Sequence, residues 1–306
     1  MNNFEIKSLA PIIVFAFIRK DTLERVINSL KKNYLSKDSH LFIFIDGPRN
    51  DNDTQLSTNV KKYCESVDGF KSITIHTNKI NKGLDPSIID GVTEIINKFG
   101  KAIILEDDII TAPNFLNYMN FCLDKFENDD RIMSVSGWGI DMKIPSDYKY
   151  DAFLLGRSSS WGWATWKNRW QSIDWDIHDW NKFKKDKKSI KSFNRYGGGG
   201  MFSMLKKCMN GGNMWDIRFC YNMFKMNKYS IVPLISKTKN IGFNEFATHC
   251  KPVKFKRYTT RLDDGKQTSF NIPSSIKPDI RLIKERLKIS SLKIRLITKL
   301  RNIIGF

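Results

Sequence analysis

The 306-residue sequence lacks the short motifs that mark several large enzyme classes. It contains no GxxxxGK[ST] phosphate loop, no GxGxxG after its first apolar run, and no GxSxG nucleophile elbow. These absences remove the main support for an ATPase, a Rossmann dehydrogenase or a hydrolase with a serine elbow. The five cysteines are odd in number and form no CxxC pair, which argues against a zinc ribbon or a disulfide framework. Such a set favours a reducing compartment.

Long apolar runs are also absent. The run Pro11–Ile18 is too short to cross a bilayer, and no small-residue cleavage site follows it. We therefore expect a cytoplasmic protein. Its formal net charge is +19, and 15 of the Lys and Arg residues, against four Asp and Glu, lie in 251–306. The body of the protein therefore need not bind nucleic acid, although so basic a chain predicts an anionic partner.

The basic C-terminal segment, 256–306, has amphipathic helical spacing from Ile280 onwards. Its apolar stripe consists of Leu292, Leu296, Leu300 and Ile303, with Lys and Arg off that stripe. One interpretation is a tail that binds an anionic membrane surface peripherally, at the inner face of the plasma membrane. The other is a C-terminal helix that folds against the body of the protein.

The N-terminal part alternates strand-length apolar runs with segments of helical periodicity. The runs are Ile12–Phe17, Leu41–Ile45, Ser72–His76, Ala102–Leu105 and Ile132–Ser136. This order predicts an α/β fold with a mostly parallel sheet flanked by helices. Ligands of such sheets bind beyond the carboxyl ends of the strands. From about residue 137 the pattern becomes rich in loops and tryptophan, so we divide the chain into 1–136, 137–255 and the tail 256–306.

Three consecutive acids, Glu106, Asp107 and Asp108, stand at the end of the fourth predicted strand. Adjacent carboxylates repel and raise each other's pKa unless a cation is present. Carboxylates without Cys or His neighbours suit Mg²⁺ or Mn²⁺. The alternative is a solvated acidic turn, or an N-cap for the helix that follows Pro113.

Three further residues are weaker candidates when each is taken alone. Asp46 could accept hydrogen bonds from a nucleoside or only open the turn at Gly47 and Pro48. Lys82, in Asn-Lys-Gly-Leu ahead of a helix, could face a phosphate. His249 is a possible metal or diphosphate contact, although a lone histidine is more often structural.

Asp216 and the tryptophans are the candidates for the second half of the site. Asp216 could take a proton from an acceptor hydroxyl or serve as a helix N-cap. Trp161, Trp163 and Trp215 could line an acceptor sugar or belong to the core. Spacing alone does not separate these roles.

Together these residues resemble the GT-A-fold inverting glycosyltransferases, and the N-acetylglucosaminyltransferase I family in particular. Glu-Asp-Asp-Ile with Ala-Pro-Asn-Phe, residues 106–115, is similar to that family's metal-binding acidic motif and its continuation. Val135-Ser136-Gly137-Trp138, Trp161-Gly162-Trp163 and Trp215-Asp216 follow in the family's order, and Asn81–Leu84 resembles its N-x-G-L element. The resemblance runs from about residue 11 to 250. The family has a second acid after the Trp-Asp pair, whereas this chain has Ile217.

The resemblance implies a metal-dependent enzyme that moves a sugar from a nucleotide-diphosphate donor, a UDP-sugar by expectation, to a glycan or lipid-linked acceptor. It implies that 1–136 binds the donor and 137–255 the acceptor. Asp108, with His249 as a further candidate, would bind Mn²⁺ or Mg²⁺, and Asp216 would be the base. Donor contacts would come from Arg19, Asp46, Lys82, Glu106 and Asp107, and acceptor contacts from Trp161, Trp163 and Trp215. A bacterial relative acting in capsule or lipopolysaccharide assembly is the expectation.

Two other functions stay open at this point. A sugar nucleotidyltransferase uses a related sheet, but it would want a glycine-rich loop after the first strand, where this chain has Phe17-Ile18-Arg19-Lys20-Asp21. A non-enzymatic nucleic-acid binder would explain the charge. Because that charge is concentrated in the tail, we expect no nucleic-acid partner.

Overall fold

A computed structural model describes residues 8–242, 260–275, 277–289 and 291–304. The strands are β1 (Ile12–Ala16), β2 (His40–Ile45), β3 (Ser72–Thr77), β4 (Lys101–Glu106), β5 (Ile109–Thr111), β6 (Ile132–Ser136), β7 (Ala152–Leu155), β8 (Trp163–Trp166), β9 (Tyr229–Pro233) and β10 (Thr238–Asn240). The helices are α1 (Lys20–Lys31), α2 (Asp51–Glu65), α3 (Leu84–Phe99), α4 (Phe115–Lys125), α5 (Lys167–Gln171), α6 (Trp180–Phe183), α7 (Lys187–Gly197), α8 (Met201–Met209), α9 (Trp215–Lys225), α10 (Ile280–Lys288) and α11 (Leu292–Ile304).

Eight strands form one sheet in the order β3-β2-β1-β4-β8-β6-β9-β7. The first four are parallel neighbours, and β6 pairs with β9 in parallel. β8 lies antiparallel between β4 and β6, and β7 is antiparallel to β9. The predicted α/β class with a mostly parallel sheet is confirmed. The loop-rich second half departs from expectation, because it adds β7, β8 and β9 to the same sheet.

Apolar cores cover both faces of the sheet. One contains Val14, Ile43 and Leu105 from the strands with the apolar faces of α1, α2 and α4. The other contains Ile13 and Ile104 with residues of α3, α5 and α9. Strands buried on both faces read as continuous apolar runs, which is why β1, β2 and β4 were predictable.

The carboxyl ends of β1, β2, β4 and β6 reach the same edge of the sheet, because these strands run in the same direction. Arg19, Asp46, the acidic turn 106–108 and Ser136 therefore lie along one edge. A small second sheet, β5 with β10, follows the acidic turn and holds it from the far side. Backbone N–H of Ile241 donates to the carbonyl oxygen of Asp108 at 2.8 Å.

The C-terminal helices differ in how they contact the body. Leu282 on α10 is fully buried with Phe153, Leu155 and Val232, so α10 packs on β7. On α11, in contrast, Leu296 and Leu300 are exposed by 59% and 55%. Among the helices within the described ranges, none combines the length and the apolar character that crossing a bilayer requires.

Candidate active site

The acidic turn is buried rather than solvated. Asp107 and Asp108 are 4% and 8% exposed, and Glu106, the last residue of β4, is partly buried. The nearby helix α4 begins at Phe115 after Asn114, so none of these acids caps it. Both structural alternatives for the trio are therefore excluded by position and burial.

Arg19 provides the cation nearest to this turn. Its guanidinium forms an ion pair with Asp107 through two nitrogens, and its Nη2 lies 3.0 Å from Oδ2 of Asp108. Burial lowers the pKa of Arg19, but the two carboxylates more than offset this and raise it above its ordinary value. Arg19 is the residue before α1, and its side chain makes no capping hydrogen bond. It neutralises the acids instead.

One arginine does not balance three acids. Burial raises the pKa of Asp107 to about 6 although Arg19 opposes the rise. Burial likewise raises the pKa of Asp108, again against Arg19. The pKa of Glu106 is raised well above its usual value by burial and then by the charges of Asp108 and Asp107. Asp216 adds to that rise, so its carboxylate and that of Glu106 are close enough to interact.

The donor set of the turn fits a cation bound by few protein atoms. Oδ1 of Asp108 is buried and has no hydrogen-bond partner among the described residues. In that same part of the chain no three His, Cys, Asp or Glu side chains form a metal-binding group. Mg²⁺ commonly uses one or two carboxylates and completes its shell with water and substrate phosphate. A divalent cation at Asp108 fits this pattern, whereas a closed all-protein site does not.

Asp46 holds a loop. Its carboxylate oxygens accept hydrogen bonds from the backbone N–H groups of Gly47, Lys82 and Gly83, at 2.9–3.0 Å. The side-chain amides of Asn78 and Asn81 donate to it as well, at 3.2 and 2.9 Å. The sequence alternatives for Asp46 were a nucleoside contact and a turn. The structure adds a third role, which is to fix the Asn-Lys-Gly-Leu loop beside the sheet edge.

Lys82 lies on that loop, but its ammonium group faces a helix. Nζ is 3.0 Å from the carboxylate of Asp90 on α3, and the Lys82 side chain is 43% exposed. An exposed pair of this kind is weak, because water screens both charges. The predicted phosphate contact stays a prediction, and it would require Lys82 to leave Asp90.

Asp216 lies in the first turn of α9, which begins at Trp215. It is therefore not the N-cap, the structural alternative considered above. The side chain borders a cavity of about 140 Å³, whose other walls include Ser136, Trp138 and Trp161. Asp216 is thus a carboxylate at a cavity on the sheet edge.

The three candidate tryptophans have different surroundings. Trp161 lines the cavity beside Asp216 and its ring meets Trp138 edge-on at 4.8 Å. Trp163 and Trp215 are 1% and 4% exposed and belong to the core under α9, with ring centroids 4.9 Å apart. The structure thus places Trp161 at the cavity and the other two beneath it. His249 lies outside the described residues.

Two charged residues that line the cavity were not among the candidates. Arg157 follows β7, and Arg286 comes from α10 in the segment interpreted as a tail. The sequence feature that could have identified Arg157 as a site residue is its position directly before three serines. For Arg286 it was the spacing of four residues from Leu282, which puts a cation on the apolar face of an amphipathic helix.

Comparisons with known proteins agree with the motif resemblance. No family model matches the chain. An alpha-1,3-mannosyl-glycoprotein 2-beta-N-acetylglucosaminyltransferase from Arabidopsis thaliana is 26% identical over 203 residues, which are 59% of this chain and 44% of that protein. The chain thus spans less than half the length of this curated relative. The resemblance predicted from the motifs is confirmed by this similarity.

Solved structures give more distant matches. The mannosyltransferase PcManGT from Pyrobaculum calidifontis, in complex with GDP-Man and Mn²⁺, has a TM-score of 0.43 at 11% identity, covering 76% of this chain and 59% of its own. Residues 1–349 of TarS from S. aureus have a TM-score of 0.42 at 11% identity, covering 74% and 59%. This chain is thus similar in sequence to an N-acetylglucosaminyltransferase and, at low TM-scores, in structure to these two proteins.

Proposed function

We propose that this chain is a metal-dependent inverting glycosyltransferase that moves a sugar from a nucleotide-diphosphate donor, a UDP-sugar by expectation, to a glycan or lipid-linked acceptor. The observation that carries the proposal is the buried turn 106–108, whose charge Arg19 balances only in part, next to the carboxylate of Asp216. The resemblance to the N-acetylglucosaminyltransferase I family supports the same activity. Its expected place, capsule or lipopolysaccharide assembly in a bacterium, rests on that resemblance alone.

Asp108 would hold the metal through its unpartnered Oδ1. When bound, Mn²⁺ or Mg²⁺ would stabilise the charge on the departing diphosphate. His249 would be a further contact if the segment that contains it reaches the site.

The donor would lie along the edge formed by β1, β2 and β4. Arg19 would hold Asp107 and Asp108 in position, since it pairs with both. Asp46 would place the loop of Lys82 against the donor rather than touch it with a free oxygen, because both its oxygens accept hydrogen bonds from that loop. Glu106 would contact the ribose or the sugar.

Asp216 would act as the general base. In a single displacement the acceptor oxygen forms a bond to the anomeric carbon as the bond from that carbon to the diphosphate oxygen breaks. The bonding pair leaves with the nucleoside diphosphate, and the acceptor hydroxyl proton passes to the Asp216 carboxylate. Trp161, which lines the same cavity, would bind the acceptor ring. Trp163 and Trp215 would support that wall from the core.

The proposal is tested by donor turnover in matched variants. UDP or GDP release from a panel of nucleotide-sugars is measured with Mn²⁺ for the wild type, Asp108→Asn, Asp216→Asn and the control Asp68→Asn, whose side chain is 80% exposed. Asp108→Asn should lower turnover at least about a hundredfold, as should chelation of the metal, because the leaving charge is then unbalanced.

Asp216→Asn should abolish transfer yet bind the donor like the wild type, and Asp68→Asn should behave as the wild type in both measurements. Equal turnover by the wild type and Asp108→Asn would remove the metal role. Retained transfer in Asp216→Asn would assign the base elsewhere. Pyrophosphate release from a nucleoside triphosphate and a sugar phosphate would instead favour a nucleotidyltransferase.

We also propose that α11 attaches the enzyme to an anionic membrane surface. Leu296 and Leu300 are one helical turn apart and exposed, and Lys293 and Arg301 are exposed on the same helix. Burying two leucines in the interface adds to the attraction of the basic tail for anionic lipid. This arrangement supports peripheral attachment, which the cytoplasmic location expected from the sequence would allow.

Vesicle sedimentation tests the membrane proposal. The double variant Leu296→Ser/Leu300→Ser should bind phosphatidylglycerol vesicles about tenfold or more weakly than the wild type. Ile280→Ser, which changes a 58% exposed residue of α10, is the matched control and should bind normally. Undiminished binding by the double variant, or equal binding to neutral phosphatidylcholine vesicles, would contradict it.

A further inference from the structure

The cavity beside Asp216 carries more positive than negative charge. Among the described residues that line it, Asp216 is the one acid, and Arg157 and Arg286 are the two cations. Its volume of about 140 Å³ is the room of roughly five water molecules. A carboxylate or a phosphate group fits within this volume.

Arg157 lines the cavity and has no anionic partner among the described residues. It is partly buried, and its Nη2 contacts the sulfur of Met204 at 3.9 Å. Within the described ranges no carboxylate oxygen lies within 4.0 Å of its guanidinium, although other arginines of this protein are paired. A partly desolvated guanidinium without a counter-ion is costly, so this position favours an anionic ligand.

The backbone around Arg157 is fixed before any ligand binds. A Cβ on the preceding Gly156 would lie 2.6 Å from the ring of Tyr196, so only glycine lets β7 end this close to α7. The following Ser158 receives a hydrogen bond at 3.0 Å from the hydroxyl of Ser134 on β6. Arg157 is therefore preorganised, which reduces the entropy that binding would cost.

Arg286 of α10 also lines this cavity. It is 5% exposed, and its guanidinium carbon lies 5.1 Å from the centre of the Trp138 ring. Leu282, four residues earlier, is fully buried and anchors α10 to β7. Stacking on an aromatic face leaves the planar N–H donors of an arginine directed sideways, the geometry that suits carboxylate and phosphate. α10 thereby becomes part of the site.

We propose that this cavity, with Arg157 as its main cation, is a subsite for a carboxylate or phosphate group on a sugar substrate. This proposal rests on the proposed function, because it takes the donor diphosphate to lie at Asp108. The anion bound at Arg157 is then a second one. It belongs either to the acceptor or to the transferred sugar, and it makes the enzyme selective for acidic sugars.

The first arm of the test uses three probes with the same ring: glucuronate, glucose 6-phosphate and glucose. Binding to the full chain, with and without saturating UDP and Mn²⁺, is measured by calorimetry at constant ionic strength. At least one acid should bind about tenfold or more tightly than glucose to the wild type. Arg157→Gln should remove that preference, Arg157→Lys should restore part of it, and the exposed Arg195→Gln on α7 should leave it unchanged.

The second arm compares UDP-glucuronate with UDP-glucose. If the anion belongs to the donor sugar, the wild type should bind UDP-glucuronate about tenfold more tightly than UDP-glucose. Arg157→Gln should then bind the two donors with equal affinity. If it belongs to the acceptor, the two donors bind equally and the preference appears in the first arm with UDP present. Either result supports the subsite and identifies its source.

Two outcomes would overturn the subsite. One is the absence of any preference for acid over neutral probes in both arms. The other is loss of UDP binding itself in Arg157→Gln, which would place the diphosphate in this cavity. A different result would contradict the proposed function and leave the subsite intact. In that case neither UDP nor GDP would bind in the presence of Mn²⁺, but the preference for acidic probes would still depend on Arg157.

Discussion

Three aspartates along the edge of the sheet, Asp46, Asp107 and Asp108, differ in the groups that contact their carboxylates. Asp46 accepts four hydrogen bonds from residues 78–83 and one from the backbone of Gly47. Asp107 forms an ion pair with Arg19, and one oxygen of Asp108 has no hydrogen-bond partner among the described residues. Burying a carboxylate costs free energy, and hydrogen bonds offset this cost at Asp46 whereas an ion pair with Arg19 offsets it at Asp107. The uncompensated oxygen of Asp108 is the chemically available one.

Asp46 should therefore matter for stability as well as for binding. Asp46→Ala leaves three backbone N–H groups and two side-chain amides without their acceptor, and we expect the free energy of unfolding to fall by about 2 kcal/mol or more. Urea unfolding measures this change. Asp90→Ala, which removes the exposed partner of Lys82, should cost less than about 1 kcal/mol. Equal losses for the two variants would contradict the loop-holding role.

At the scale of elements, the two helices of the C-terminal segment, α10 and α11, differ in how they contact the rest of the protein. The folded-back interpretation of that segment applies to α10, whereas the membrane interpretation stays a proposal for α11. α10 packs on β7 through Leu282, and α11 keeps two leucines exposed. Similar basic amphipathic sequences thus have different surroundings: Leu282 of α10 is buried with Phe153 and Val232, whereas Leu296 and Leu300 of α11 are exposed.

We expect Leu282→Ala to loosen α10. Truncating a fully buried leucine removes apolar contact and leaves a cavity, which commonly costs about 2–5 kcal/mol. Hydrogen exchange of residues 280–289 should accelerate by at least about tenfold, a change that corresponds to about 1.4 kcal/mol. Ile280→Ala, at a position 58% exposed on the same helix, should leave exchange unchanged. Unaltered protection in Leu282→Ala would mean that α10 is held by other contacts.

At the scale of the whole molecule, a buried ion pair connects distant segments. Lys237, between β9 and β10, pairs with Asp263, and both are more than nine-tenths buried. Asp263 also accepts hydrogen bonds from Asn114 before α4 and from the backbone of Gly265. The Lys237 ammonium lies 5.2 Å from the centre of the Phe270 ring. The pair joins the second sheet, α4 and the segment 260–270.

Breaking this pair should destabilise the protein strongly. Asp263→Ala leaves the Lys237 ammonium buried without its counter-ion, and we expect a loss of about 3–5 kcal/mol in the free energy of unfolding. Lys237→Met/Asp263→Leu removes both charges and should be less damaging than the single change. Asp68→Ala, which removes an exposed partner of Lys31, provides the control and should cost less than about 1 kcal/mol. Thermal and urea unfolding measure all three. A smaller loss in Asp263→Ala than in the double variant would contradict the argument.

The sequence by itself determined the alternation of strands and helices in its first half and the positions of the candidate acids. Continuous apolar runs of strand length between helical segments, such as Ile12–Ala16, indicate buried strands, and acids directly after them are then expected at the carboxyl edge. These are local consequences of periodicity and burial. The order of the motifs that include Glu106–Asp108 and Trp215-Asp216 led to the expectation of a glycosyltransferase.

Only the tertiary structure decided which groups pair with those acids and which residues from distant segments lie beside them. That Arg19 pairs with Asp107, that Asp46 is occupied by a loop, and that Trp163 lies in the core depend on contacts between residues far apart in the chain. The place of β8 between β4 and β6, and the arrival of Arg286 at the cavity, depend on them too. Such contacts follow from how the layers pack, and periodicity along one segment carries no information about which distant segment will cover it.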